Sequence, residues 1–130
     1  MTETTIDVGL DVSANILTQG KKVDNGKEVV FESPVAGPEG YAVAFIEESG
    51  RHRHERTTEN YYVVSGHGTL FYDDKVIPLE PDQHVRLTPG VAHHVESANH
   101  IKILVTTNPR FDPADLHPVP ALRKGPVSRF

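Results

Sequence analysis

Short runs of apolar and β-branched residues, separated by turn signals, fill the middle of the chain. The runs are rich in Val, Ile, Phe, Tyr and Thr, the residues that favour strands. They lie at 29–31, 41–46, 61–64, 69–72, 76–79, 84–87, 93–95 and 101–106. Turn formers such as Ser65-Gly66 and Pro89-Gly90 stand between them. No segment keeps a 3.6-residue apolar period for about ten residues, so a helix is not predicted. Closely spaced strands in one domain predict an all-β sandwich or barrel.

The run at 41–46 is apolar at odd and even positions alike. We therefore expect a strand that is covered on both faces. The barrel itself is predicted over 29–107. Residues 1–28 form a leader, in which alternating Ile6, Val8 and Leu10 predict one edge strand and 19–27 read as a solvated loop.

The last part of the chain, 108–130, holds five of the ten prolines. Proline at so many positions prevents a regular ladder, so an extended tail that packs on the barrel is predicted. Asp112 followed by Pro113 predicts a helical turn with Asp112 as its N-cap. We favour a strap across the surface over a lid or a dimer contact.

Composition narrows the class of protein. A length of 130 residues suits one domain. The absence of cysteine excludes disulfides, thiolate catalysis and zinc–thiolate sites. A net charge of −5 disfavours nucleic acid and anionic lipid as partners. No apolar run approaches the roughly 18 residues of a membrane span. The segment 1–11 lacks the apolar core of a signal peptide, so a cytoplasmic location is expected.

Histidine is the unusual residue, because seven of the eight histidines fall between His52 and His100. His52 and His54 are two apart, so an extended strand projects both rings from one face. Glu59 follows a short polar link, and a hairpin there would bring it opposite the two histidines. His93 opens another strand after Pro89-Gly90. Three imidazoles and one carboxylate predict a mononuclear site for a divalent metal: Zn, Fe, Mn, Ni or Cu.

Two stretches of this chain resemble the cupin superfamily. "HRHERTTENYYVVSG" is similar to the first cupin motif and "DQHVRLTPGVAHHVES" to the second, and the resemblance extends from about Tyr41 to Thr106. It implies a jelly-roll barrel (a double-stranded β-helix), often assembled as a homodimer. It also implies that His52, His54, Glu59 and His93 are the metal ligands. Four turn positions depart from the family pattern: Ile46, Asp82, Thr88 and Ser97.

Three further residues are candidates for contact with a substrate. Tyr61 has the parity of Glu59, so its hydroxyl is expected inside the barrel, as a general acid or hydrogen-bond donor or else as a core aromatic. Ser97 has the parity of His93 and could line the pocket. Arg86 could bind an anionic substrate or be a solvated side chain.

Three functions are compatible with this pattern. The favoured one is a metal-dependent enzyme for redox-neutral proton transfer, of isomerase, epimerase, lyase or cyclase type. Small cupins imply a small oxygenated substrate, such as a sugar or keto acid. The second is a non-haem dioxygenase with the same ligands. The third is a cupin that binds a small molecule without turnover.

Overall fold

The computed structural model describes residues 21–24, 26–32 and 39–120. These residues form ten strands and one 3-10 turn. The strands are β1 (Lys21–Asp24), β2 (Glu28–Glu32), β3 (Gly40–Glu48), β4 (His52–Arg53), β5 (Thr58–Ser65), β6 (Gly68–Tyr72), β7 (Lys75–Leu79), β8 (His84–Leu87), β9 (His93–Asn108) and β10 (His117–Pro118). The 3-10 turn is Pro113–Asp115. The predicted edge strand near Ile6 lies outside the described residues.

The longest strand, β9, joins two parts of one curled antiparallel sheet. Its first half, from His93 to Glu96, pairs with β4 and β6. Its second half, from Ile101 onward, pairs with β3 and β5. Between the halves lies an exposed irregular segment in which His100 has a φ of 57°. This bend lets one strand serve both walls of the barrel, as expected for a strand that changes direction at an irregularity. The all-β barrel prediction is confirmed.

The core lies between the two parts of the sheet. Its fully buried side chains include Val63, Leu70, Leu79, Leu87, Val95, Ile101 and Ile103. Along β5 and the second half of β9 every second residue points inward, which follows from the two-residue period of a strand. In β3 the neighbours Val43 and Ala44 are both buried, so the prediction that this strand is covered on both faces is confirmed.

Two sequence predictions need correction. Residues 21–24 form β1 rather than a solvated loop, since they pair in register with β2. Gly26, with a φ of 94°, provides the left-handed conformation for this turn, and its N–H bonds to the Asp24 carboxylate over 2.9 Å. The expected hairpin between the histidines and Glu59 is also wrong. β4 pairs with β9 and β10, whereas β5 pairs with β8 and with the far half of β9.

The proline-rich segment 109–119, which we call the strap, crosses the loop that carries His52 and His54. β10 pairs with β4, and the Val119 N–H donates to the Arg51 carbonyl over 3.0 Å. The predicted turn is present: Pro113 opens it, and the Asp112 carboxylate accepts from the Ala114 N–H at 2.9 Å. Among the described residues, no helix has the length and apolar character needed to span a membrane.

Candidate metal centre

Four side chains converge at one end of the barrel: His52, His54, Glu59 and His93. One donor atom from each lies within 4.8 Å of all the others. β4 supplies His52, and His54 follows it directly. Glu59 points inward from β5, and His93 begins β9 opposite His52. The four side chains that the sequence selected are therefore brought together, although they come from both parts of the sheet.

Backbone carbonyls orient two of the imidazole rings. Nδ1 of His52 donates to the Gly50 carbonyl over 2.7 Å, and Nδ1 of His93 donates to the Val91 carbonyl over 3.0 Å. Because a carbonyl oxygen only accepts, the proton of each neutral ring is on Nδ1 and the lone pair is on Nε2. Metal-ligating histidines commonly use their second nitrogen in this way.

Three donor atoms at the centre lack hydrogen-bond partners among the described residues. Nε2 of His54, Nε2 of His93 and Oε1 of Glu59 are buried without one. Oε1 of Glu59 lies 3.0 Å from Nε2 of His93 and 3.6 Å from Nε2 of His54, as an ion-pair contact rather than an aligned hydrogen bond. A buried polar atom without a partner is costly. Donors that share a metal at roughly 2.1 Å lie within about 4.2 Å of one another, so small side-chain adjustments suffice for an ion to bind here.

The electrostatics of the cluster favour a neutral His52 and a charged Glu59. Burial and the neighbouring His93 lower the pKa of His52 to about 4. Burial on its own would raise the pKa of Glu59, but contact with His93 and the electrostatic influence of the neighbouring imidazoles lower it instead. These are the protonation states that a divalent metal requires of its ligands. The residues present therefore fit a divalent transition metal.

Tyr61 lies next to the cluster in the barrel interior. Glu59, Tyr61 and Val63 are the buried positions of β5, so the predicted parity is confirmed. Tyr61 is in van der Waals contact with the hydrophobic core. Burial, with the negative charges of Glu59 and Glu28, raises the pKa of the Tyr61 hydroxyl well above its ordinary value of 10.0. The phenol is therefore protonated at every physiological pH.

Ser97 and Arg86 do not join the cluster. Ser97 is buried with the parity of His93, but its hydroxyl donates to the His67 carbonyl over 2.6 Å and accepts from two backbone N–H groups, those of Asn99 and Ile101. It thus closes the bend of β9. Arg86 is exposed and pairs across the strands with the exposed Asn60. A substrate contact for either residue stays a prediction.

Sequence reasoning missed the groups that support the ligands. The Gly90 N–H donates to the His54 carbonyl over 2.6 Å, which links the two ligand-bearing segments directly. The Tyr72 hydroxyl lies 2.8 Å from the Thr88 hydroxyl and accepts from the Thr88 N–H at 3.1 Å. It thereby holds the loop before His93. Nothing in the local sequence signals these contacts, since each joins residues that are far apart in the chain.

Comparison with known proteins agrees with this geometry. A family model described as a cupin domain matches residues 44–106. A variant of Streptomyces Pac13 with uridine superposes with a TM-score of 0.74 at 16% identity, over 82% of this chain and 89% of that one. KdgF from Halomonas sp. gives 0.65 at 15% identity, over 75% of this chain and 94% of its own.

A variant of oxalate decarboxylase from Bacillus subtilis gives a TM-score of 0.70 at 9% identity, over 78% of this chain and 31% of that one. At such identities the similarity shows the fold alone. A comparison with curated proteins gives no match. The matched domain, the barrel and the structural neighbours agree on one assignment: the chain is a member of the cupin superfamily.

Proposed function

We propose that this protein is a metal-dependent enzyme for redox-neutral proton transfer on a small oxygenated substrate, with His52, His54, Glu59 and His93 as the ligands. One observation carries the proposal. Four donors of the right type meet within 4.8 Å at the barrel interior, and three of them have no other hydrogen-bond partner in the part of the chain that the structure describes. The metal is one divalent ion of Zn, Fe, Mn, Ni or Cu.

The metal ion and the side chains would have different roles in the reaction. A bound divalent ion supplies Lewis-acid polarisation of a substrate carbonyl or hydroxyl. The chain supplies a phenol, because Tyr61 lies two residues beyond Glu59 on the same inward face of β5. Its raised pKa keeps the proton on the hydroxyl and makes the phenol a weaker acid, so Tyr61 is suited to donate a hydrogen bond to a leaving oxygen. Reactions of isomerase, epimerase, cyclase or lyase type can use such a donor.

The structural neighbours support an enzyme of this general type. Pac13 is a nucleoside dehydratase, and one of its structures contains uridine. Elimination of water is a redox-neutral lyase reaction. A nucleoside and a sugar or keto acid share hydroxyl and carbonyl groups as the reacting functions. We accordingly place sugars, keto acids and nucleosides first among the substrates to be tested.

The test begins with metal content and turnover. Protein purified without chelators is analysed for bound metal and then offered a panel of these compounds, with products identified by mass. The proposal expects about one metal per chain and a product that is an isomer, or has lost water or carbon dioxide, without oxygen uptake. Oxygen consumption would indicate a dioxygenase instead. Tight ligand binding without turnover would indicate a non-catalytic cupin.

The role of Tyr61 has a matched control on the same strand. Tyr61→Phe removes the inward hydroxyl, and we expect kcat to fall about 10²- to 10³-fold, the usual cost of losing one hydrogen-bond donor to the transition state. Tyr62→Phe removes a hydroxyl on the opposite face, where it donates to Asp82 over 2.7 Å. Its kcat should match the wild type. Equal rates in both variants would make Tyr61 a packing residue.

A homodimer and a cytoplasmic location stay predictions. Sedimentation velocity of the purified chain tests the first, and a monomer across the micromolar range would contradict it.

A further inference from the structure

The loop between His54 and Glu59 receives its main hydrogen bonds from the strap. The two carboxylate oxygens of Asp115 accept from the backbone N–H groups of Glu55 and Arg56, each over 3.0 Å. Asp115 is 3% exposed, so these bonds are shielded from water. His117 and the Arg56 side chain approach the same carboxylate at 3.3 Å and 3.9 Å. A carboxylate that accepts two parallel N–H bonds fixes both the position and the direction of the peptide groups that donate them.

The strap also contacts the ligand-bearing segment on either side of this loop. The ring of Phe111 packs edge to face against the ring of His54, with the centroids 5.7 Å apart. The pairing of β10 with β4 places His117 opposite Arg53 and Pro118 opposite His52. The Thr57 hydroxyl donates to the Pro109 carbonyl over 3.3 Å. The segment 52–57 thus has strap contacts along its whole length.

We propose that Asp115 is a positioning residue of the metal centre, which holds His54 at the geometry of the bound state through the backbone of Glu55 and Arg56. This inference rests on the proposed function, since it assumes that His54 is a ligand. Asp115 touches neither substrate nor metal. It acts through the loop, in the way that outer groups around a metal fix the orientation of the ligands.

The bonds to Asp115 explain how the short loop between His54 and Glu59 is held in place although it does not pair with β5. Between His54 and Glu59, the backbone has no strand partner within the described residues until Thr58 begins β5. Without Asp115, two N–H groups of this loop would lose their partners, and the loop would sample other conformations. Coupling is reciprocal, so a metal that needs this loop ordered also stabilises the bonds to Asp115.

The test compares two identical substitutions in the same turn. Asp115→Asn keeps the side-chain volume, but its amide can accept only one of the two N–H bonds. Asp112→Asn is the matched control: Asn still caps the turn by accepting from the Ala114 N–H, and only an exposed ion pair with Arg56 is lost. Affinity for Zn²⁺ is measured by competition with a chromophoric chelator, and the visible spectrum is recorded after Co²⁺ loading.

We expect Asp115→Asn to weaken Zn²⁺ binding about 10- to 100-fold and to alter the Co²⁺ spectrum. Asp112→Asn should stay within about threefold of the wild type, with an unchanged spectrum. A merely structural Asp115 would lower the melting temperature of the metal-free protein but leave affinity and spectrum as in the wild type, and that result would overturn the proposal. Wild-type protein that binds no divalent metal would instead overturn the proposed function, and this inference with it.

A second measurement uses the wild type, in case the Asp115 variant does not fold. Hydrogen exchange of the Glu55 and Arg56 amides is followed with and without Zn²⁺. Because both amides donate to Asp115, metal binding should slow their exchange at least tenfold, with a smaller effect at Val119. Exchange of Glu55 and Arg56 that is unaffected by Zn²⁺ would show that the loop and the metal are not coupled.

Discussion

Replacement of Glu59 by Gln is the sharpest perturbation of the proposed metal centre. The substitution keeps the volume of a side chain that is 8% exposed, and it removes the one anionic ligand. Four-ligand Zn²⁺ sites bind with about 10–16 kcal/mol at pH 7, so an equal share per ligand is about 2.5–4 kcal/mol. That share corresponds to roughly a 10²- to 10³-fold increase in the Kd for Zn²⁺.

The assay is a Zn²⁺ competition titration of the metal-free wild type and variant at one pH and ionic strength. Glu55→Gln is the control, because Glu55 is exposed, lies in the same loop and pairs its side chain with the half-buried Arg53. Its Kd should equal that of the wild type within about twofold. If Glu59→Gln bound Zn²⁺ as tightly as Glu55→Gln, the carboxylate would not be a ligand and the proposed four-residue site would be wrong.

Three further outcomes follow from packing and charge. Leu70→Ala, at a site with 0% exposure, should lower the free energy of unfolding by about 2–5 kcal/mol, whereas Val76→Ala, at 64% exposure, should change it little in the same urea titration. The pKa of His52 is 6.5 in the unfolded chain but about 4 in the folded protein, so the metal-free protein should lose stability as pH falls through this window. In acid titrations followed by circular dichroism, His52→Gln should lose less stability over the same window. Gly66→Ala should lower the melting temperature more than Gly26→Ala. Both glycines have positive φ, but a Cβ at Gly66 would lie 3.1 Å from the Ile101 Cα, whereas a Cβ at Gly26 would have no described atom within 4 Å.

The inward-facing side chains of the candidate metal centre could be predicted because that signal is local. His52 and His54 differ by two residues, and Glu59 and Tyr61 share the parity of one strand, so the period of a β-strand decides which side chains face inward. The structure keeps that parity in β5 and at the start of β9. Local parity says which face a side chain occupies, whereas the selection of the four residues that meet came from the resemblance to the cupin motifs.

Strand partners could not be predicted in the same way. The predicted hairpin before Glu59 assumed that neighbours in sequence pair in the sheet, as consecutive strands often do. Instead β9 lies between β3 and β5 with its second half and between β4 and β6 with its first. The bend that permits this depends on Ser97, whose hydroxyl bonds to His67, Asn99 and Ile101. Strand β1, which was not predicted, is a different case, because the sequence does contain a hairpin signal at Asn25-Gly26.

The strap shows how a distant segment completes a site whose chemistry is local. The sequence marks Asp112 as a cap, and the structure confirms that turn. Its consequence is that Asp115, three residues later, points toward the loop after His54 rather than toward solvent. A turn is a local property, whereas the partner of its buried carboxylate depends on the path of the whole chain. Barrel parity therefore directs the ligands inward, and the strap fixes the backbone that presents one of them. Substitutions in the two regions should accordingly affect metal binding in different ways. Loss of a ligand removes binding energy directly, whereas loss of Asp115 acts only through the order of the loop.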